Sequence, residues 1–517
     1  MTSSYDTYTS PLAARNASPE MLRLWSPRHK FNTWRKIWLA VAEAQHELGL
    51  PVSEEQVEEL RAVVNRPGGI TDEEMHAAEQ YERDLRHDVM AHVHALGDSC
   101  PNARPIIHLG MTSQDVVCNA DVICLRESID LILAKCTATV CAFGDLGRQH
   151  ALVPTLAFTH YQAAQPTTVG RRCAQWACDL EIPNSILGER VSLINPRGLK
   201  GATGTQASFL KLLGSSEAVD KLEAEFLARL SPWGFWNPSP LADLDDCHHG
   251  LVNYIAGGRH LTGQTYPRVN DTFILSTLAS IASVLHKIAT DIRLLSNRKE
   301  LDEPFESKQI GSSAMPYKRN PMRCERICGL TRFVMNLVGN AYDTAATQWL
   351  ERTLDDSSNR RLSLPEAFLA LDGSLDLMHN VASGLVVHEA TIRKNLMAEL
   401  PFMATENILM ACVKLGADRQ DYHERLRLHA QEAGMRVKQQ GLDNDLLDRL
   451  RADPAFQSKA QGGLLDGELD WDDMMDPMHY IGRSVEQTER FIKEVVEPLR
   501  EQYADAIDKL GDSGPRV

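Results

Sequence analysis

The chain has 517 residues, 43% of them hydrophobic and 24% charged, enough for a large core divided among roughly two to four regions. A formal net charge of −16 weighs against nonspecific nucleic-acid binding. The eleven cysteines are scattered without a Cys-x-x-Cys pair, and Met1–Glu20 is polar, with no apolar signal region. Together they predict free thiols in a reducing, cytoplasmic setting.

Taken in order, Ser18-Pro-Glu-Met reads as a helix start with Pro19 at the first helical position. Trp34, Ile37, Trp38, Val41, Ala42 and Leu48 fall on one stripe, predicting an amphipathic helix over Thr33–Leu48. Ser53–Val64 reads as a short charged helix, and the next helix is expected to carry Arg86-His-Asp-Val-Met-Ala-His-Val-His94. On such a helix His92 and His94 point to nearly opposite sides, and His87 lies about 10 Å from His94 along the axis. A shared zinc is therefore not expected, and no metal site is predicted. Thr112 and Ser113 sit where a loop enters a helix, where they can cap it or hydrogen-bond an anion. Gln149–Gly170 lacks charge over a membrane-like length, but its histidines, glutamines and prolines exclude a span. Arg197–Ala207 is glycine-rich without the Gly-Lys-Ser/Thr ending of a phosphate loop. Trp233, Phe235, Trp236 and several prolines interrupt the helical pattern over Leu230–Arg259, which reads as a surface excursion. Asp271–Asn297 is the clearest helix, with Ile274, Leu278, Ile281, Leu285, Ile288, Ile292 and Leu295 at three- and four-residue steps, the pattern of a buried bundle helix.

The densest chemistry lies in Gly311-Ser-Ser-Ala-Met-Pro-Tyr-Lys-Arg-Asn-Pro-Met-Arg-Cys-Glu325. Pro316 and Pro321 require a loop that restarts as a helix near Met322. Between Lys308 and Arg326 five cations face Glu325 alone, a local charge of +4 in an acidic chain, which predicts an anion site. Another long apolar helix is read over Ile327–Ala345, followed by the mixed-charge block Gln348–Arg361.

Gly-Ser-Ser-x-Met-Pro-x-Lys-x-Asn-Pro resembles the signature loop of the fumarase/aspartase superfamily. Read from Gly311 to Arg326, it is similar to that of the adenylosuccinate lyase family within it. Arg86-His-Asp88, Thr112-Ser113, Thr159–Thr168 with His160, Gln264 and Leu400–Asn407 extend the resemblance over roughly Ser18 to Leu499. It implies an all-α, fumarase/aspartase-like fold: a long central helix bundle shared in a homotetramer and flanked by two smaller helical domains. The expected division is 1–112, 113–388 with the signature loop, and 389–517. The implied partner is a small-molecule substrate, a succinyl purine nucleotide, with neither nucleic acid nor membrane, and with sites shared between protomers.

Elimination from such a substrate must remove a proton beside a carboxylate and expel an amine. It therefore needs a base, an acid and groups that stabilise a carboxylate-delocalised carbanion, but no cofactor. By resemblance Ser312 is the base, His160 the acid paired with Glu325, and His87 a further member of the catalytic set. The residues alone do not separate Ser312 from Ser313. Lys318 and Asn320 would grip the succinyl carboxylates, with Thr112, Ser113 and Gln264 beside the substrate. Arg15, Arg86, Asp88, Arg326, Arg352, Ser357 and Arg361 would serve phosphate and neighbouring groups, a task suited to the guanidinium fork. Argininosuccinate lyase, fumarase and aspartase stand as alternatives within the superfamily. The joint presence of His160, Ser312, Lys318 and Glu325 argues against an inactive binding relative.

Overall fold

The computed structural model describes residues 6–191, 194–230 and 261–510. The excursion read over Leu230–Arg259 thus lies outside the described residues, except for Leu230 itself.

Helix starts follow local capping chemistry. Ser18 accepts from the Met21 N–H ahead of Pro19, and Ser26 does the same for α1 (Pro27–Glu47). The segment expected as one helix through His94 is instead two. α2 (Asp72–Leu85) ends at Arg86, whose φ is 53°, and α3 (Asp88–Ser99) starts after His87 in extended conformation. The left-handed residue turns the chain, so His87 sits at a corner rather than on a helix face. His92 stacks on Phe31 at 3.6 Å and His94 on Tyr81 at 5.1 Å, so the three histidines face different neighbours.

The central bundle is built from α4 (Ser113–Gln149), α5 (Val169–Val191), α6 (Val269–Asn297), α7 (Met322–Ala346) and α8 (Asp355–Gly384). Between α4 and α5 comes an antiparallel hairpin, β1 (Pro154–Thr159) and β2 (Gln162–Thr168), which the helical reading did not anticipate. Leu301–Asp302 and Val386–Val387 form a second two-stranded ladder. A further helix, α9 (Glu389–Met403), packs against the first hairpin.

Leu278, Ile281, Leu285 and Ile288 of α6 meet Ile129, Ile132, Phe143, Phe368 and Leu371 in the bundle core, all fully buried. α6 is long and apolar enough by length and composition to cross a membrane, yet its apolar stripe is spent inside this core. A second core joins Trp34, Trp38, Leu96 and Val116 to Phe209 and Phe226 from the far side of the glycine-rich loop. A third gathers Ile408, Cys412, Leu446, Leu450 and Phe456. Within the bundle, Lys135 Nζ bridges Asp372 at 2.5 Å and Asp376 at 2.8 Å, and Asp372 also accepts from the Ser18 N–H at 2.6 Å. These contacts anchor the N-terminal segment to α8.

Candidate active site

The sequence-predicted residues collect at two ends of the bundle. At the start of α4, Thr112 takes the N-cap position, and its N–H donates to Asp115 Oδ2 at 2.8 Å. The other Asp115 oxygen accepts from Lys200 N (2.9 Å), Gly201 N (3.1 Å) and the Arg197 guanidinium, all fully enclosed. The glycine-rich loop therefore clamps the helix start that presents Thr112 and Ser113. Ser113 Oγ lies 3.3 Å from His87 Nε2, while His87 Nδ1 accepts from the Met90 N–H at 3.3 Å and so caps α3. Beside Arg86 and His87, Asp88 pairs with Arg361 at 3.0 Å. Burial raises the Asp88 carboxyl, but the Val89 N–H, Lys30 and Arg361 outweigh it and hold it below its ordinary range.

Arg361 opens onto a cavity of about 160 Å³ that Lys30, Arg268, Arg352, Ser357 and Arg360 also line. Gln264 is tied to the residue before Arg352: its N–H donates to Glu351 O at 3.1 Å, and its side chain donates to Ala202 O at 2.8 Å. Burial, then Arg361, lowers the Lys30 ammonium from its ordinary value.

The second group lies at the far end. The 29 residues of α6 separate Arg268 from Arg298, about 43 Å at 1.5 Å per residue. Here the signature loop folds on itself: Asn320 Nδ2 donates to Gly311 O at 2.9 Å, and a Cβ on Gly311 would fall 2.2 Å from Lys318 O. Only glycine allows that approach. Ser312 Oγ accepts from both Ala314 N (3.4 Å) and Met315 N (3.2 Å), whereas Ser313 is exposed without such donors. Lys318 and Glu325 are exposed, Glu325 in the first turn of α7. Arg326 follows it, and burial together with Arg15 and Arg323 lowers its guanidinium from the ordinary value. Glu303 fills the N-terminus of α7 by accepting from Arg323 N (3.0 Å) and Cys324 N (2.6 Å).

His160 stands at the hairpin tip, and the Phe158 ring, 4.8 Å from the Arg298 guanidinium, sets the hairpin at this same end. His160 (φ 54°) and Tyr161 (φ 58°) form the two-residue turn, the mirror-image type that usually requires Asn-Gly. Among the described residues no hydrogen bond or ion pair joins His160 to Glu325, so the expected pair is not formed within this chain. One chain brings Arg86, His87, Asp88, Thr112, Ser113, Gln264, Arg352, Ser357 and Arg361 together at the first end. Ser312, Lys318, Asn320, Glu325, Arg326 and Arg15 gather toward the other, where His160 also stands.

Sequence reading missed Arg197, Arg268 and Asp356; Arg197 and Arg268 find their carboxylates 82 and 88 residues away. Asp115 carried a signal, three residues after Thr112 in a capping-box spacing.

The family described as "Lyase" matches residues 14–249 and 259–336, and that described as "Adenylosuccinate lyase C-terminus" matches residues 401–491. The chain is 46% identical to adenylosuccinate lyase of Schizosaccharomyces pombe over 496 residues, covering 95% of each. It is 44% identical to that of Saccharomyces cerevisiae, covering 98% of this chain and 99% of the relative. The chain belongs to the adenylosuccinate lyase family. As a member it is a lyase acting on a small molecule, as the resemblance implied, and the other superfamily lyases are not favoured. The fold is shared with 3-carboxy-cis,cis-muconate lactonizing enzyme from Pseudomonas putida, at TM-score 0.74 and 23% identity over 94% of this chain and 98% of that one. It is shared also with a fumarate lyase from Mesorhizobium sp. BNC1, at TM-score 0.73 and 21% identity over 94% and 99%. Both bear out the all-α fold expected for this family member.

Proposed function

We propose that the protein eliminates fumarate from adenylosuccinate, giving AMP, and from SAICAR, giving AICAR, in purine nucleotide biosynthesis. The observation that carries this reading is the Ser312 hydroxyl oxygen held by two backbone N–H groups in a loop of cations. An unperturbed serine is far too weak a base; two amide donors and Lys318 favour its oxyanion. Ser312 takes the proton beside the succinyl carboxylate, and the electron pair spreads into that carboxylate, gripped by Lys318 and Asn320. The carbon–nitrogen bond then breaks, fumarate forms, and His160, oriented by Glu325, protonates the departing nitrogen. Arg352, Ser357 and Arg361 take the nucleotide phosphate; Arg86, His87, Asp88, Thr112, Ser113 and Gln264 line its approach; Arg15 and Arg326 add positive charge.

The two ends are too far apart to meet in one chain, which supports a homotetramer whose sites draw on several protomers. Phe273, Leu294 and Phe333, each more than a third exposed on the bundle helices, give another copy apolar surface to cover. Ten described cysteines without a disulfide support a cytoplasmic location.

The test is fumarate release from adenylosuccinate. Ser312→Ala is expected to lose about 10³-fold or more in kcat, and Ser313→Ala much less. Mixing Ser312→Ala with His87→Asn protein after dissociation and reassembly is expected to restore activity that neither has alone. Near-normal turnover by Ser312→Ala, or no recovery in the mixture, sinks respectively the base and the shared site.

A further inference from the structure

Arg268 begins α6 and is 5% exposed. Its Nε donates to Asp356 Oδ2 at 2.7 Å, and its guanidinium lies over the Tyr266 ring at 4.5 Å. The second oxygen of the same carboxylate, Oδ1, lies 3.5 Å from Arg352 Nη2. One buried carboxylate thus holds two guanidinium groups side by side at the start of α8. Each keeps a further nitrogen, Nη1, buried with no hydrogen-bond partner among the described residues. Both arginines line the same cavity, where among the described residues five cations face a single carboxylate, Asp121. Asp271 and Asp88 balance Arg360 and Arg361 from behind, as Asp356 does the central pair. Buried guanidinium N–H groups without acceptors are costly unless a ligand supplies oxygen. A tetrahedral oxyanion can accept from two guanidinium groups at once, and the first turn of α8 adds its own electropositive end.

We propose that Arg268 is a ligand of the substrate's phosphate alongside Arg352, and that Asp356 is the positioning residue that sets the two forks as one clamp; this rests on the phosphate reading of the Arg352–Arg361 region. Arg268 fixes the phosphate from the α6 side, Arg352 from the turn before α8. Because both hang on one carboxylate, neither can shift without the other.

The experiment compares adenylosuccinate with its dephosphorylated nucleoside, using the full-length enzyme and its Arg268→Gln, Arg268→Lys and Asp356→Asn variants. Competitive inhibition by inorganic phosphate is measured in parallel. In Arg268→Gln the KM for the nucleotide is expected to rise about 10- to 100-fold with kcat little changed, the loss of one charged hydrogen bond. Activity on the nucleoside should stay at the wild-type level, and phosphate inhibition should weaken by a similar factor. Arg268→Lys keeps the charge without the fork and is expected to fall between, which carries the test if the glutamine variant does not fold. Asp356→Asn is expected to lower the same nucleotide-to-nucleoside preference. Equal losses on both substrates, or unchanged phosphate inhibition, overturn the ligand role; an unchanged preference in Asp356→Asn overturns the positioning role. A wild-type enzyme indifferent to the phosphate would instead overturn the underlying phosphate reading.

Discussion

At the Ser113 end of the bundle, cations and carboxylates are buried and matched within one chain, whereas at the far end the signature loop and the hairpin tip stand largely in solvent. Arg268, Arg360 and Asp356 are each under 10% exposed; Tyr317 in the signature loop is 83% exposed and Tyr161 on the hairpin 52%. The first end is organised by ion pairs that cross the sequence, Arg197 to Asp115 and Arg360 to Asp271. The second is held by short-range contacts, such as Asn320 to Gly311 and Ser312 to its own loop amides. The groups proposed to bind substrate are thus fixed within the chain, while those proposed for proton transfer stand largely in solvent.

The largest way to break this contrast is Asp115→Asn. Removing that charge leaves Arg197 buried without a counter-charge, a loss of roughly 3–5 kcal/mol for a broken buried pair. Denaturant unfolding is expected to show that loss, with the Thr112–Ser113 end the first to open. Lys318→Met, on an exposed loop side chain, should move stability by less than about 0.5 kcal/mol. Comparable losses in the two variants would mean that the ends are not built differently after all.

Sequence made some of this legible and not the rest, for identifiable reasons. The α6 stripe repeats at helical spacing, so the helix was plain, and Pro321 placed the start of α7 within a residue. The loop chemistry was readable because its residues are neighbours in the chain. The β1–β2 hairpin was hidden: Leu156 and Phe158 alternate, but the turn is His160-Tyr161 rather than Asn-Gly, and Pro166 sits within a strand. The corner at Arg86 was hidden likewise, because a non-glycine residue takes the left-handed conformation. Arg352 and Asp356 stand four residues apart, but the Arg268 half of the arrangement had no local signal, since 88 residues separate Arg268 from its carboxylate.

A second test uses acid. His92, 4% exposed and stacked on Phe31, is pushed down to about 4 by burial and by the nearby Arg35 and Lys30 charges. The unfolded chain, with a histidine near 6.5, binds more protons between those values. Stability from this site is therefore full above about pH 6.5 and falls as pH drops toward 4, by roughly 3 kcal/mol. His108, which accepts from the Trp38 indole and is also pushed down to about 4, adds in the same direction. Thermal midpoints between pH 7.5 and 4 should fall less in His92→Phe than in wild type; parallel curves would exclude the histidine as the acid-sensitive element of the buried end.

The smallest effect, and the sharpest for the exposed end, concerns Tyr161. A left-handed conformation costs a non-glycine residue about 1–2 kcal/mol, so Tyr161→Gly removes strain and is expected to stabilise the hairpin by about 1 kcal/mol or less. It also removes the ring that rests on Phe158 at 5.7 Å, a contact that limits how the tip can move. Stability and activity should then part company: the thermal midpoint rises slightly while fumarate release falls several-fold, because His160 shares the turn and loses its fixed direction. If activity were to hold while stability rose, the strain would be only the cost of a turn with an unusual sequence. If both held, even that cost would be absorbed by the strands, and the tip would need a partner protomer, not its own backbone, to aim His160.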